Sequence, residues 1–210
     1  MDTVKKYKNY RKIGMKLNHK IMDKFLDRDT LHKSAKLLNI IQRGKFVFDS
    51  EDETSVLMDF ALNDYRFVNK NVVERYRDKY GWKNKVEKDI FDALSNSYTS
   101  LFKITSISRH NNTLILKDIL NKKDDIKLID IAFSNTISHS NYLLFTRILP
   151  FMDFNMTSGV SFIFPANMEN YLIRQYKKKI TKIKSNHEAI KRFVSFYQLN
   201  KKHGIDVSYI

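Results

Sequence analysis

The chain has 210 residues, of which 42% are hydrophobic and 13% aromatic; it can bury a sizeable core, which excludes an intrinsically disordered protein. It contains no cysteine, which excludes disulfide scaffolds, thiolate zinc sites and cysteine nucleophiles. The net charge is +15, and it points to anionic partners: nucleic acid, an anionic membrane or an acidic protein.

Residues 3–26 predict a helix. Val4, Tyr7, Tyr10, Ile13, Leu17, Ile21 and Phe25 recur at three- and four-residue steps, with lysines on the other faces. A second helix is expected from a cap at Asp29 or Thr30, and Gln42-Arg43-Gly44 closes the pair. Lys45–Phe48 suits a small strand. The most acidic stretch follows, with Asp49, Glu51, Asp52 and Glu53, then Asp59 and Asp64. Ser50-x-x-Glu53 matches a capping box, so a helix is expected from Glu51 to about Tyr65. Further helices are expected at 71–80, stopped by Gly81, and at 83–98.

From Tyr98 to Pro165 the sequence turns to β-type runs: SLFKITSIS, TLILKDIL, KLIDIAFS, YLLFTRIL and VSFIFP, several with alternating polarity. His110-Asn111-Asn112 reads as a tight turn and 121–125 as a second. Ser134–Asn141 reads as a polar loop, and Thr157-Ser158-Gly159 as a turn leading into the last strand. After Pro165, a helix over 166–184 ends in a dense run of lysines. Ser185-x-x-Glu188 again matches a capping box ahead of a last helix to about Lys202, and IDVSYI ends the chain as a strand or a packed tail.

The expected fold is α+β in a single domain over 1–210. A helical part spans 1–97. A β unit over 98–165 forms an antiparallel meander of five or six strands, as a curled sheet or small barrel. Two basic helices over 166–210 pack on or beside it.

The surplus charge lies at the two ends. Residues 1–44 hold 12 Lys/Arg against 4 Asp/Glu, giving +8; residues 165–210 hold 10 against 3, giving +7. Residues 45–164 hold 16 of each, so the β unit reads as an electrically balanced scaffold and the basic arms as the contact surfaces. The clearest candidates are Arg174, Tyr176, Lys177, Lys178, Lys179, Lys182, Lys184 and Arg192, where aromatic and basic residues interleave as single-strand binders require. No RNP, KH, zinc-finger or helix-turn-helix signature accompanies them.

Catalytic motifs are lacking. Asp49, Asp52 and Asp59 form the natural trio for a Mg²⁺-dependent phosphoryl transferase, though caps and helix dipole account for the same acids. The six histidines, among them His110 and His139 in β-unit loops, show no ligand spacing. Arg147 interrupts an apolar strand and calls for an acid such as Asp130. No metal, cofactor or catalytic residue is expected. The N-terminus lacks the apolar core of a secretory signal, and no run of about 18 apolar residues occurs, so a soluble cytoplasmic protein without membrane attachment is expected.

The phrases FDSEDE, MDFAL, SLFKI and MTSG, with LKDIL, LIDIAFS and TRILPF between them, resemble a group of bacterial proteins of similar length to which no activity is assigned. The resemblance runs from about Leu37 to Pro165. It implies a cytoplasmic protein with a shared central β unit and carries no functional residue with it.

The expected function is that of a non-catalytic basic protein associating with nucleic acid, RNA above all, without strong sequence specificity. The alternative is a protein-interaction module, or a self-associating one, that docks through the acidic segment 49–53 or a sheet edge.

Overall fold

A computed structural model describes residues 2–122, 124–136 and 141–205. Residues 137–140 of the expected polar loop, His139 among them, and residues 206–210 of the expected terminal strand or packed tail lie outside these, whereas Ser134–Thr136 of that loop are helical rather than loop. The chain divides into two compact units, Lys8–Asn96 and Met1–Tyr7 with Ser97–Ile210. The architecture is α+β.

The helical unit contains most of α1 (Thr3–Phe25), then α2 (Arg28–Leu37), α3 (Asp52–Asn63), α4 (Val72–Tyr80) and α5 (Lys85–Ser95). Its core takes Tyr10, Leu17 and Ile21 from α1, Leu57 and Phe60 from α3, Val73 and Tyr76 from α4, and Ile90 and Phe91 from α5. Tyr10 keeps its hydroxyl satisfied by donating to Asp89 at 2.7 Å. Between α2 and α3, β1 (Ile41–Gln42) and β2 (Lys45–Phe46) form a two-residue hairpin. Its turn residues Arg43 and Gly44 both take positive φ, the conformation that matches the twist of paired strands.

Short polar side chains cap α2, α4 and α5, though not always the expected ones, while α3 and the two C-terminal helices start without a side-chain cap. Asp27, rather than Asp29 or Thr30, caps α2 by accepting from the Thr30 N–H at 2.6 Å. That bond is the main reason its carboxyl lies below the usual range. The full capping box sits at Asn71 and Glu74, opening α4. Neither serine-led box forms. Glu53 reaches past Ser50 to accept from the Asp49 N–H at 2.7 Å. His187 stands at the cap of the last helix, with Ser185 accepting from its N–H.

The second unit is built on β3 (Tyr98–Ser108), β4 (Thr113–Asp118), β5 (Ile126–Ile129), β6 (Tyr142–Pro150) and β7 (Asn155–Pro165), which close a barrel in the order β3-β4-β5-β7-β6. The expected pure antiparallel meander is therefore corrected. β5 pairs with β7 in parallel, with Leu128 opposite Asn155, and the other four seams are antiparallel. A parallel pair requires a crossover, and the chain supplies it through α6 (Ile131–Thr136) and β6.

The run KLIDIAFS is thus strand only as far as Ile129. Asp130 then accepts from the Phe133 N–H at 3.0 Å and turns the backbone into α6. Phe133 joins Phe102, Ile104, Leu114, Leu116, Leu128, Leu144, Ile148 and Ile163 in the barrel core. Thr157-Ser158-Gly159 lies inside β7, where the register jumps from Thr146–Ser161 to Ile148–Thr157. Gly159 meets this bulge with φ of 114°, a conformation that costs glycine little. A second bulge leaves Thr105 of β3 between paired neighbours.

The C-terminal segment gives a 3₁₀ turn at Ala166–Met168, then α7 (Glu169–Ile180) and α8 (Glu188–His203). α8 packs on β7 and β3. Phe145 of β6 stacks on Phe196 of α8 with ring centroids 4.3 Å apart, while Phe162 meets Phe193 and Tyr197. The chain's first turn belongs here too, with Tyr7 edge-on to Phe154 and Lys6 paired with Asp153.

Candidate nucleic-acid interface

The basic C-terminal residues are not equivalent. Arg174, Lys177, Lys178, Lys182 and Lys184 are exposed, the last two beyond the end of α7. Tyr176 is turned inward, 5.3 Å from the Phe196 ring. Lys179 is half-buried and donates to Gln198 at 2.9 Å. Burial, followed by Lys202 and Lys182, holds its ammonium below the ordinary lysine range. Arg192 anchors α8 to the barrel by donating to the Thr99 carbonyl at 2.6 Å. Tyr171 bonds His203 through its hydroxyl at 3.1 Å. Of the exposed cations of this segment, Arg174 lies over the Tyr171 ring, 5.9 Å from its centroid, while Tyr176 is used in packing.

The barrel wall supplies what the neutral charge count concealed. Side chains alternate along a strand, so each strand presents one set inward and one outward. On β6 and β7 the outward set includes Phe145, Phe162 and Phe164, which lie beneath α8. On β3, β4 and β5 it includes Lys103, Lys117 and Lys127, all exposed. Lys103 and Lys117 are direct cross-strand partners, and Lys127 stands opposite Ile115, two residues from Lys117 on the same face. Like charges placed opposite one another repel. Glu169 reaches Lys103 only at 3.8 Å, and among the described residues neither Lys117 nor Lys127 has an ion-pair partner.

Beside Lys127 lies a cleft of about 550 Å³ whose lining includes Tyr98, Lys122, Asp124 and Asn155. Two residues along β3 from Tyr98, Ser100 donates to the buried Asp118 at 2.5 Å, and the Asn121 amide donates to both. Burial, with Asp118 adding to it, pushes the Tyr98 phenol up to about 12.

This lysine wall is the main feature the linear charge count misses. Averaging over 45–164 cancels its lysines against acids such as Asp49, Glu51 and Asp52, which belong to the helical unit. The available signal is local. FKI, LKD and IKL each place a lysine at the outward step of an alternating strand.

The acidic candidates do not gather. Among the described residues no group of three or more His, Asp or Glu side chains is placed to hold a metal ion. Asp49 and Asp52 are exposed, and Asp59 accepts from the Asn63 amide at 3.2 Å. His110 is exposed in the β3–β4 turn. Arg147 is buried, and the carboxylate of Asp130 accepts from the Thr157 hydroxyl at 3.3 Å. Among the described residues no helix is long and apolar enough to cross a membrane.

A family model, DUF7986, matches residues 1–210 and is described as a family of unknown function. The chain belongs to this family. No curated protein and no solved structure matches it. The match covers both the helical unit and the barrel unit, so the family is defined over the two together.

Proposed function

We propose that the chain is a non-catalytic, cytoplasmic nucleic-acid-binding protein, directed to RNA and reading phosphate rather than sequence. The observation that carries this reading is the unequal barrel: one wall is apolar and covered by α8, and the other holds Lys103, Lys117 and Lys127 toward solvent. Three ammonium groups on adjacent strands form a positive surface suited to a polyanion. Fold-level analogy adds support. The strand order, the parallel seam between third and fifth strands and the helix between third and fourth follow OB-fold connectivity, and OB-folds bind oligonucleotides across their second and third strands. Those strands are β4 and β5 in this chain. The exposed Arg174, Lys177, Lys178, Lys182 and Lys184 add positive charge on the same unit.

The test is a titration of labelled single-stranded RNA across a salt series. Log affinity should fall linearly with log salt, by about 0.7 per phosphate contact on a single strand. Combined Lys103→Glu, Lys117→Glu and Lys127→Glu should abolish binding whatever the base sequence. Replacing Lys177, Lys178 and Lys182 by Glu should weaken it less. Absence of binding by the unaltered protein at low salt overturns the reading.

A protein-interaction role is the second reading, and one observation favours it. Phe46, Val47 and Phe48 are consecutively exposed, immediately before the acidic segment 49–53. Such a strip fits an apolar surface with a basic rim. Partners captured through it should survive nuclease treatment and be lost with Phe46→Ser and Phe48→Ser.

A further inference from the structure

The helical unit carries an aromatic and basic surface of its own, at the turn between α4 and α5. The sequence there is Lys79-Tyr80-Gly81-Trp82-Lys83-Asn84-Lys85. Tyr80 ends α4, and Gly81 stops the helix with φ of 63° while its N–H donates to the Arg77 carbonyl at 2.8 Å. On the far side Asn84 caps α5 by accepting from the Glu87 N–H, and the Lys83 N–H donates to the Glu87 carboxylate at 2.8 Å. Trp82 therefore projects from a short turn pinned at both ends. It is 50% exposed, and Tyr80 is 47% exposed.

The two rings are held differently. Tyr80 packs against Tyr76 and Phe25, with ring centroids 4.9 and 5.7 Å away. Among the described residues no ring packs on Trp82; its contact is the Lys88 ammonium, 5.6 Å from the ring centroid. Lysines surround both. Lys24 and Lys79 lie 5.0 and 5.5 Å from the Tyr80 centroid, and Lys83 and Lys85 are exposed on the turn. Residues 77–88 hold five Lys/Arg against two Asp/Glu, although the larger segment containing them is neutral.

An exposed indole and phenol invite an apolar, planar partner, and the charge around them requires that partner to be negative. Single-stranded nucleic acid has both properties, a π-face on every base and a phosphate beside it. A duplex hides its base faces. We infer that Trp82 and Tyr80 form a stacking platform for unpaired bases, with Lys24, Lys79, Lys83 and Lys85 holding the adjoining phosphates. This rests on the nucleic-acid reading and narrows the ligand to single strands.

Trp82 is the only tryptophan in the chain, so its emission reports on this surface alone. The full-length protein is titrated at low salt with oligouridylate, with an RNA duplex of equal charge and with inorganic polyphosphate. Tryptophan emission and the anisotropy of a labelled oligouridylate are followed together. Oligouridylate should quench the emission, and the duplex and polyphosphate should leave it nearly unchanged. Trp82→Ala should weaken oligouridylate binding by about 5- to 150-fold, the range for loss of one base–aromatic stack. Trp82→Phe should restore most of the affinity, and Trp82→Leu should not.

Saturable binding by anisotropy with unchanged emission and unchanged Trp82→Ala affinity overturns the platform and leaves the lysine wall standing. Equal quenching by polyphosphate also overturns it, because charge alone then explains the contact. No anisotropy change at low salt overturns the nucleic-acid reading and the platform with it.

Discussion

The covered wall of the barrel and its open wall are made by the same strand geometry with opposite side-chain choices. Where β6 and β7 face α8, the outward positions are Phe145, Phe162 and Phe164, meeting Phe193, Phe196 and Tyr197. Where β4, β5 and the part of β3 not covered by α8 face solvent, they are Lys103, Lys117 and Lys127. The inner faces of the two walls meet in one core, so the difference lies wholly outside it. Stability is concentrated on one side, which frees the other to carry charge that folding does not need.

The sharpest way to break this division is Phe196→Ala. It removes a fully buried ring from its stack on Phe145 and should cost about 3–5 kcal/mol, measured by denaturant unfolding. Asp118→Ala comes next. It leaves the Ser100 hydroxyl and the Asn121 amide without their buried acceptor and should cost about 1–3 kcal/mol in the same measurement.

A pH series gives a smaller signal. The Tyr98 phenol ionises at about 12 in the folded chain, against an ordinary value of 10.0. Between those values the unfolded chain binds fewer protons, so stability should fall as pH rises through that window. Tyr98→Phe should flatten the fall, and an unchanged slope would count against the buried environment assigned to Tyr98. Smallest is Lys117→Ala, expected within about 0.5 kcal/mol of the parent stability. If the lysine wall binds RNA, the same change should lower the salt slope by about 0.7.

Much of this architecture is legible in the residues. The steps of Val4 to Phe25, the stop at Gly81 and the alternation after Tyr98 locate α1, α4 and the barrel strands, because each pattern reflects a local period. What escapes depends on a choice between competing local forces or on contacts distant in sequence. LIDIAF alternates as a strand would, and only the cap from Asp130 makes it turn into α6. Ser50 and Ser185 match a capping pattern whose acid partners are used elsewhere. Arg192 and Tyr176 look like ligand contacts in a basic run, yet one holds the Thr99 carbonyl and the other packs on Phe196. The lysine wall is present in the sequence but dispersed over 25 positions, from Lys103 to Lys127, until three strands bring it together.

The parallel seam has a further consequence for motion. Four seams of the barrel are antiparallel ladders of four or more register pairs, whereas β5 meets β7 at Leu128 and Asn155 alone. Two side-chain bonds reinforce the join, from the Asn155 amide to the Lys127 carbonyl and from Thr157 to Asp130. A closed cylinder opens first along its shortest ladder, so amide protons of β5 should exchange with solvent ahead of those in β6. Lys127 stands on that seam, and a strand of RNA lying across it would slow the exchange by holding the cylinder shut.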